Sequence, residues 1–201
     1  MHVGILGGTF DPIHMGHLIV AEEAKIQLNL AEIIFVPAGQ PWLKANLSIT
    51  PATHRIQMIR RAITDKHYFK LSTMEIERSG FSYTVDTITE LKGQLDNEDE
   101  LFFILGWDAI AQLPLWKEPS RLIEMCHLVA IPRVGYPSPN LQFIESKISG
   151  LSQRVIFMNK PKVDISAFAI RKRVTQGLSI HQLVPEAVEG YIKQHKLYIT
   201  P

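Results

Sequence analysis

The chain has 201 residues, 46% of them hydrophobic, with 21 Lys and Arg against 20 Asp and Glu. That length suffices for one well-buried core, and a net charge of +1 leaves no global field for wrapping a polynucleotide. A single cysteine excludes an internal disulfide, no apolar run approaches the ~20 residues of a membrane span, and no signal-peptide pattern precedes the first strand, so a cytoplasmic protein without a membrane partner is expected.

In chain order, a buried strand is predicted over 3–6, followed by a Gly- and His-containing turn and a helix over 16–28. A strand over 33–36 leads into a loop at 37–44 and a helix over 51–63. The next pair is a strand at 69–72 and a helix at 84–93. A strand at 101–105 precedes helices at 109–113 and 119–125. A strand at 128–131, a Pro- and Gly-rich loop, a helix at 142–149 and a strand at 155–158 follow. Helices at 166–176 and 185–194 end the chain with no strand between them. This alternation argues an α/β protein with a mainly parallel sheet, helices on both faces and a short C-terminal helical tail. Thr50 before Pro51, Thr84 and Ser166 are predicted helix caps, and Gly177 a helix stop. Cys126 lies in a mostly apolar stretch and is assigned to packing.

The segment Gly7-Gly8-Thr9-Phe10-Asp11-Pro12-Ile13-His14-Met15-Gly16-His17 joins the first strand to the first helix. In open parallel sheets, ligands bind at that edge. Gly7 and Gly8 have no Cβ to hold off a phosphate, and a helix start offers free N–H groups and a positive dipole end. His14 and His17, at i and i+3, can share one face. The segment is not a P-loop, because no Gly-Lys-Ser/Thr follows the glycines. Its glycine spacing is wrong for the dinucleotide fingerprint, and no Glu follows the first His as a zinc-protease helix requires. What remains is an imidazole pair facing an anion, which asks for a nucleotide.

Other candidates fall at the same predicted edge. Lys44 can reach a phosphate or simply be solvated. Asp108, in Gly106-Trp107-Asp108, can take ribose hydroxyls, hold a metal through water, or cap a helix. Trp116 is either core or a stacking platform for a flat ring. The helix entry at Thr84, after Gly80, offers N–H groups to a carboxylate. Ser166 as N-cap with Arg171 in the second turn makes a second phosphate site.

With these residues in place, the chain resembles the nucleotidyltransferases that carry the H-x-G-H signature, here His14-Met15-Gly16-His17. Within them it is similar to the bacterial nicotinate mononucleotide adenylyltransferases. The likeness is carried further by the segment from Pro37 to Lys44, by Arg78-Ser79-Gly80-Phe81-Ser82-Tyr83-Thr84-Val85-Asp86-Thr87, by Gly106-Trp107-Asp108 with Leu113 and Trp116, and by Ile165-Ser166 through Ile170-Arg171. It implies a Rossmann-like, doubly wound fold, with residues 1–201 one nucleotidyltransferase domain and 165–201 its helical subregion. It also implies adenylyl transfer from ATP, accompanied by Mg²⁺, to nicotinate mononucleotide. Catalysis would fall to His14, His17 and Arg171. Gly7, Gly8, Thr9, Phe10, Gly106, Asp108, Ile165 and Ser166 would contact ATP, and Lys44, Thr84, Trp116 and Arg133 the mononucleotide. Phe168 departs from the pattern, standing where the family carries a hydroxyl, a loss of one hydrogen bond worth about 1 kcal/mol. A sister transferase acting on nicotinamide mononucleotide or phosphopantetheine, a cytidylyltransferase, and a non-catalytic nucleotide sensor are the alternatives. Oligomeric state has no signal in the sequence.

Overall fold

A computed structural model describes residues 1–42, 48–96 and 98–199. Six strands form one parallel sheet: β1 (His2–Gly8), β2 (Glu32–Pro37), β3 (Phe69–Leu71), β4 (Glu100–Gly106), β5 (His127–Ile131) and β6 (Val155–Phe157). Their order is β3-β2-β1-β4-β5-β6, so the winding reverses between β1 and β4. At such a reversal the loops leaving the two strands diverge and open a crevice at their carboxyl ends. Both strands are continuous apolar runs because the sheet is covered on both faces.

Alternate residues of each strand feed two separate cores. Leu6, Ile33, Phe35, Ile104 and Val129 face a cluster with Leu18 and Ala21 of α1 (Met15–Gln27), Met58 and Ile59 of α2 (Ala52–Ile63), Ile170 of α8 (Ala167–Thr175) and Val188 of α9 (Glu186–Gln194). Val3, Ile5, Ile34, Val36, Phe103 and Leu105 face the other way. They meet Val85 and Ile88 of α4 (Thr84–Lys92), Leu122 of α6 (Pro119–Met125) and Ile144 of α7 (Leu141–Glu145). Two short helices, α3 (Met74–Glu77) and α5 (Trp107–Ala111), sit at the carboxyl edge, after β3 and β4. Among the described residues, no helix is long and apolar enough to cross a membrane.

All six predicted strands form, and the doubly wound Rossmann-like architecture is as expected. The differences lie at helix ends. α5 starts at Trp107 rather than at 109, with extended Gly106 as its N-cap. α7 ends at Glu145 rather than running to 149, because the Glu145 carboxylate accepts the N–H groups of Gly150 and Ser152 and turns the chain back. α3 was not predicted, since four residues are too few for a helical period to show. Thr50 and Thr84 do not cap. Pro51 and Tyr83 hold those positions without side-chain bonds, and the backbone of Thr50 is engaged elsewhere. Ser166 does cap: its Oγ accepts the Ala169 N–H at 3.2 Å, and Gly177, at φ +68°, follows the end of that helix.

Candidate active site

The Gly- and His-containing turn folds as a strand-to-helix junction. His14 is the extended N-cap of α1, and its backbone N–H donates to Nδ1 of His17 at 3.2 Å. A ring that accepts at Nδ1 carries its proton on Nε2, so this contact sets His17 as an Nε2–H donor. The two imidazoles stack, with centroids 3.7 Å apart and planes 22° apart, and the Phe10 ring meets His17 edge-on at 4.9 Å. His14 is 7% exposed, and its Nδ1 is buried with no hydrogen-bond partner among the described residues. Burial, with the Arg133 charge second, holds its pKa down at about 4, so it is neutral near pH 7. The glycine of the signature has a steric cause: a Cβ on Gly16 would lie 2.9 Å from Val163 Cγ1 and 3.0 Å from His14 Nδ1. At Gly7 and Gly8 the missing Cβ would face the Phe103 and Phe10 rings, at 3.2 and 3.3 Å. Those two glycines therefore make room for core rings and not only for a phosphate.

Across the crevice, β4 delivers Asp108 into the first turn of α5. Its carboxylate pairs with Arg133 Nη1 at 2.5 Å, and the Arg133 guanidinium lies 5.3 Å from the Tyr136 ring. Arg133 and Val163 form a β-bridge, which brings the chain after β6 over His14. Trp107, Pro132, Arg133, Tyr136 and Lys162 line a cavity of about 300 Å³ here. The indole N–H groups of Trp107 and Trp116 are buried without a partner among the described residues.

Arg171 reaches back from α8 to the turn, where Nη1 donates to the carbonyl of Asp11 at 2.6 Å. Ile165 and Ser166 lead into the same helix, which Ser166 caps. Phe168 lies on its first turn and is 69% exposed, engaging no core. On the other side, the loop after β2 is sewn to the segment before α4. Ser82 Oγ accepts from Gly39 N–H at 2.9 Å and Gln40 N–H at 3.3 Å, and Ser82 N–H donates to the Gln40 carbonyl. Thr84 opens α4 beside Tyr83, whose ring meets Trp42 and lies under Lys117. Trp116 is half-buried, edge-on to Phe103 at 6.2 Å. Lys44 lies outside the described residues.

Residues 5–173 match the cytidylyltransferase-like family. A Dehalococcoides mccartyi protein named "Probable nicotinate-nucleotide adenylyltransferase" is 50% identical over 198 residues, 98% of this chain and 97% of its own. One from Thermomicrobium roseum is 42% identical over 98% of this chain and 92% of its own. The chain belongs to the nicotinate-nucleotide adenylyltransferase family. The Plasmodium falciparum nicotinic acid mononucleotide adenylyltransferase in complex with NaAD superposes with a TM-score of 0.80. It covers 98% of this chain and 97% of its own at 24% identity, a likeness of fold.

Three site-shaping residues escaped sequence reasoning. Arg55 of α2 is 2% exposed and donates to the carbonyls of Thr9 (2.9 Å), Ala38 (2.8 Å) and Thr50 (2.9 Å). One buried guanidinium thus ties the loops after β1 and β2 to the start of α2, and its burial lowers its pKa. Asp11, 5% exposed, accepts the Thr50 N–H at 3.1 Å. Gly39 permits α3 to approach, because a Cβ there would stand 2.1 Å from the Glu75 carbonyl. An Arg on a helix gives no sequence signal of burial. Only the apolar residues around Arg55 hint that its face points inward.

Proposed function

We propose that His14, His17 and Arg171 carry out in this chain the reaction of its family, adenylyl transfer from ATP to nicotinate mononucleotide with release of pyrophosphate. The carrying observation is the stacked His14 and His17 pair at the α1 N-terminus, with Arg171 drawn to the same turn. A 5′-phosphate oxygen of the mononucleotide attacks the α-phosphorus of ATP, and the bond to the β,γ-pyrophosphate breaks. No protein nucleophile is needed, so the protein contributes position and charge stabilisation. His17 donates from Nε2 to an α-phosphate oxygen, where negative charge grows in the transition state. His14, kept neutral, buttresses that ring by stacking. Arg171 and the N-terminus of α8 hold the departing pyrophosphate. Gly7, Gly8, Thr9 and Phe10 shape the phosphate side, while Gly106, Asp108, Ile165 and Ser166 frame the nucleoside.

The acceptor takes the opposite half of the crevice. Thr84 at the α4 N-terminus supplies main-chain N–H groups to the ring carboxylate, and Trp116 supplies a flat apolar surface. Arg133 and Lys44 neutralise the acceptor phosphate, Arg133 after exchanging its Asp108 partner. Mg²⁺ would be carried to the site by the ATP triphosphate. Among the described residues no cluster of three or more His, Cys, Asp or Glu forms a metal cage. The donor set therefore suits an ion coordinated mainly by phosphate oxygens and water, which adds neutralising charge when bound. Residues 1–201 act as one unit, with 165–201 contributing the second phosphate site, and a cytoplasmic location fits phosphorylated small-molecule substrates. The test is pyrophosphate release from Mg·ATP with nicotinate mononucleotide, nicotinamide mononucleotide and phosphopantetheine offered separately. Release with the first at far the highest kcat/KM is expected. Preference for another acceptor, or none with any, would reject the assignment.

A further inference from the structure

The last described turn of the chain enters the phosphate side of the site. Tyr198, at φ +63°, is half-buried, and its hydroxyl donates to Oδ1 of Asp11 at 2.7 Å across 187 residues of sequence. Asp11 Oδ2 accepts the Thr50 N–H, and the Asp11 carbonyl accepts Arg171 Nη1. The carbonyl of Tyr198 lies 2.9 Å from Thr175 Oγ1, one helical turn beyond Arg171, and shares that single hydroxyl proton with the Arg171 carbonyl at 3.1 Å. Tyr198 therefore grips α8 with its backbone and the histidine turn with its side chain. Tyr198 thus joins the two halves of the phosphate site beside the direct Arg171–Asp11 bond. A hydroxyl bonded to a buried carboxylate is a strong contact, and its loss leaves that carboxylate short of a donor.

We propose that Tyr198 is a positioning residue for ATP: its hydroxyl fixes the Asp11 turn, and with it the distance between His14 and His17 on one side and Arg171 on the other. The effect on ATP rests on the phosphate roles given above to those three residues. Thr50 adds a branch, because its carbonyl accepts from Arg55 and its N–H serves Asp11. Tyr198, Asp11, Thr50 and Arg55 form one connected line from the C-terminal segment to the loops after β1 and β2. Removing the hydroxyl alone leaves the ring packed against the Leu18 and Val188 core and the Thr175 contact intact.

The experiment compares the full-length protein with Tyr198→Phe, Arg171→Ala and the double variant. It measures KM and kcat with Mg·ATP and with nicotinate mononucleotide varied separately, and hydrogen exchange at the amides of Phe10, Asp11, Ile13 and His14. Tyr198→Phe is expected to speed exchange at those amides and to lower kcat/KM for Mg·ATP about tenfold, the worth of one charge-assisted hydrogen bond. KM for the mononucleotide should stay within about twofold of the parent. In the double variant the two losses should fall well short of multiplying. Parental exchange together with parental ATP kinetics overturns the proposal. So does faster exchange with unchanged ATP kinetics, which would make the contact merely structural. If Arg171→Ala keeps the parental kinetics while Tyr198→Phe shows both effects, the role given to Arg171 fails and the positioning by Tyr198 stands through the histidine turn.

Discussion

The two sides of the crevice are built on different principles. On the side proposed for the phosphates, polar groups far apart in sequence are bonded to one another: Arg171 and Tyr198 to Asp11, and Arg55 to Thr9 and Ala38. On the side proposed for the acceptor, Trp116 meets Phe103 edge-on, Tyr83 and Trp42 meet at a tilt, and Ser82 joins two neighbouring loops. Phosphates carry charge that develops during the reaction, so the groups facing them gain most by being immobile beforehand. A flat ring gains from area and desolvation, which rings tolerate with looser geometry. Substitutions on the first side should therefore act on kcat, and those on the second on the KM of the acceptor.

The largest effect is expected for His17→Ala. Loss of a transition-state donor should lower kcat by about 10²- to 10³-fold, with the parent's circular dichroism retained. An unchanged kcat would erase the distinction between the two sides. Gly16→Ala should come next. Its methyl would press on Val163 and the His14 ring, and overpacking of this kind costs about 1–3 kcal/mol. A fall in kcat larger than the fall in melting temperature explains would show that the histidine stack must hold its spacing. Trp116→Ala should raise KM for nicotinate mononucleotide about tenfold, the scale of one lost aromatic contact, and leave KM for Mg·ATP unchanged. A matching rise for both substrates would merge the two sides into one.

The smallest effect under ordinary conditions concerns pH. His14 titrates near 4 in the folded chain, below the usual 6.5, mainly through burial. Its contribution to stability is thus complete above about pH 6.5 and is lost as pH falls from there toward 4, because the unfolded chain takes up the proton first. The span corresponds to roughly 3 kcal/mol. Chemical denaturation at pH 7 and pH 4.5 checks the sign, and the His14 ring signals in NMR give the midpoint. A midpoint near 6.5 would place His14 in water rather than in the buried stack. Arg133→Ala should raise that midpoint only in part, since the positive charge is the second cause and burial remains.

Much of the fold was legible because strands buried on both faces must be apolar throughout, and helices buried on one face must be periodic. That is why the six strands were found with ends off by a residue or two. Helix ends were less legible. Thr50 and Thr84 have the composition of caps, yet long-range bonds and ring packing put Pro51 and Tyr83 there instead. Ser166 caps as its sequence suggests. In the site, His14, His17 and Arg171 stood out because their chemistry is local to a turn or a helix start. Arg55, Asp11 and Tyr198 did not, because nothing near them in the chain announces their partners.

The amino-acid sequence by itself determined the parallel sheet and the residue types placed at its carboxyl edge, since these follow from local periodicity, glycine placement and helix termini. Only the tertiary structure decided that a buried Arg55 would hold two loops in register and that Gly16 would set the spacing of the histidine stack. It also decided that the C-terminal Tyr198 would lock Asp11. Each of those depends on which distant groups are brought within hydrogen-bonding or van der Waals distance, and that is settled by packing the helices onto the two faces of the sheet.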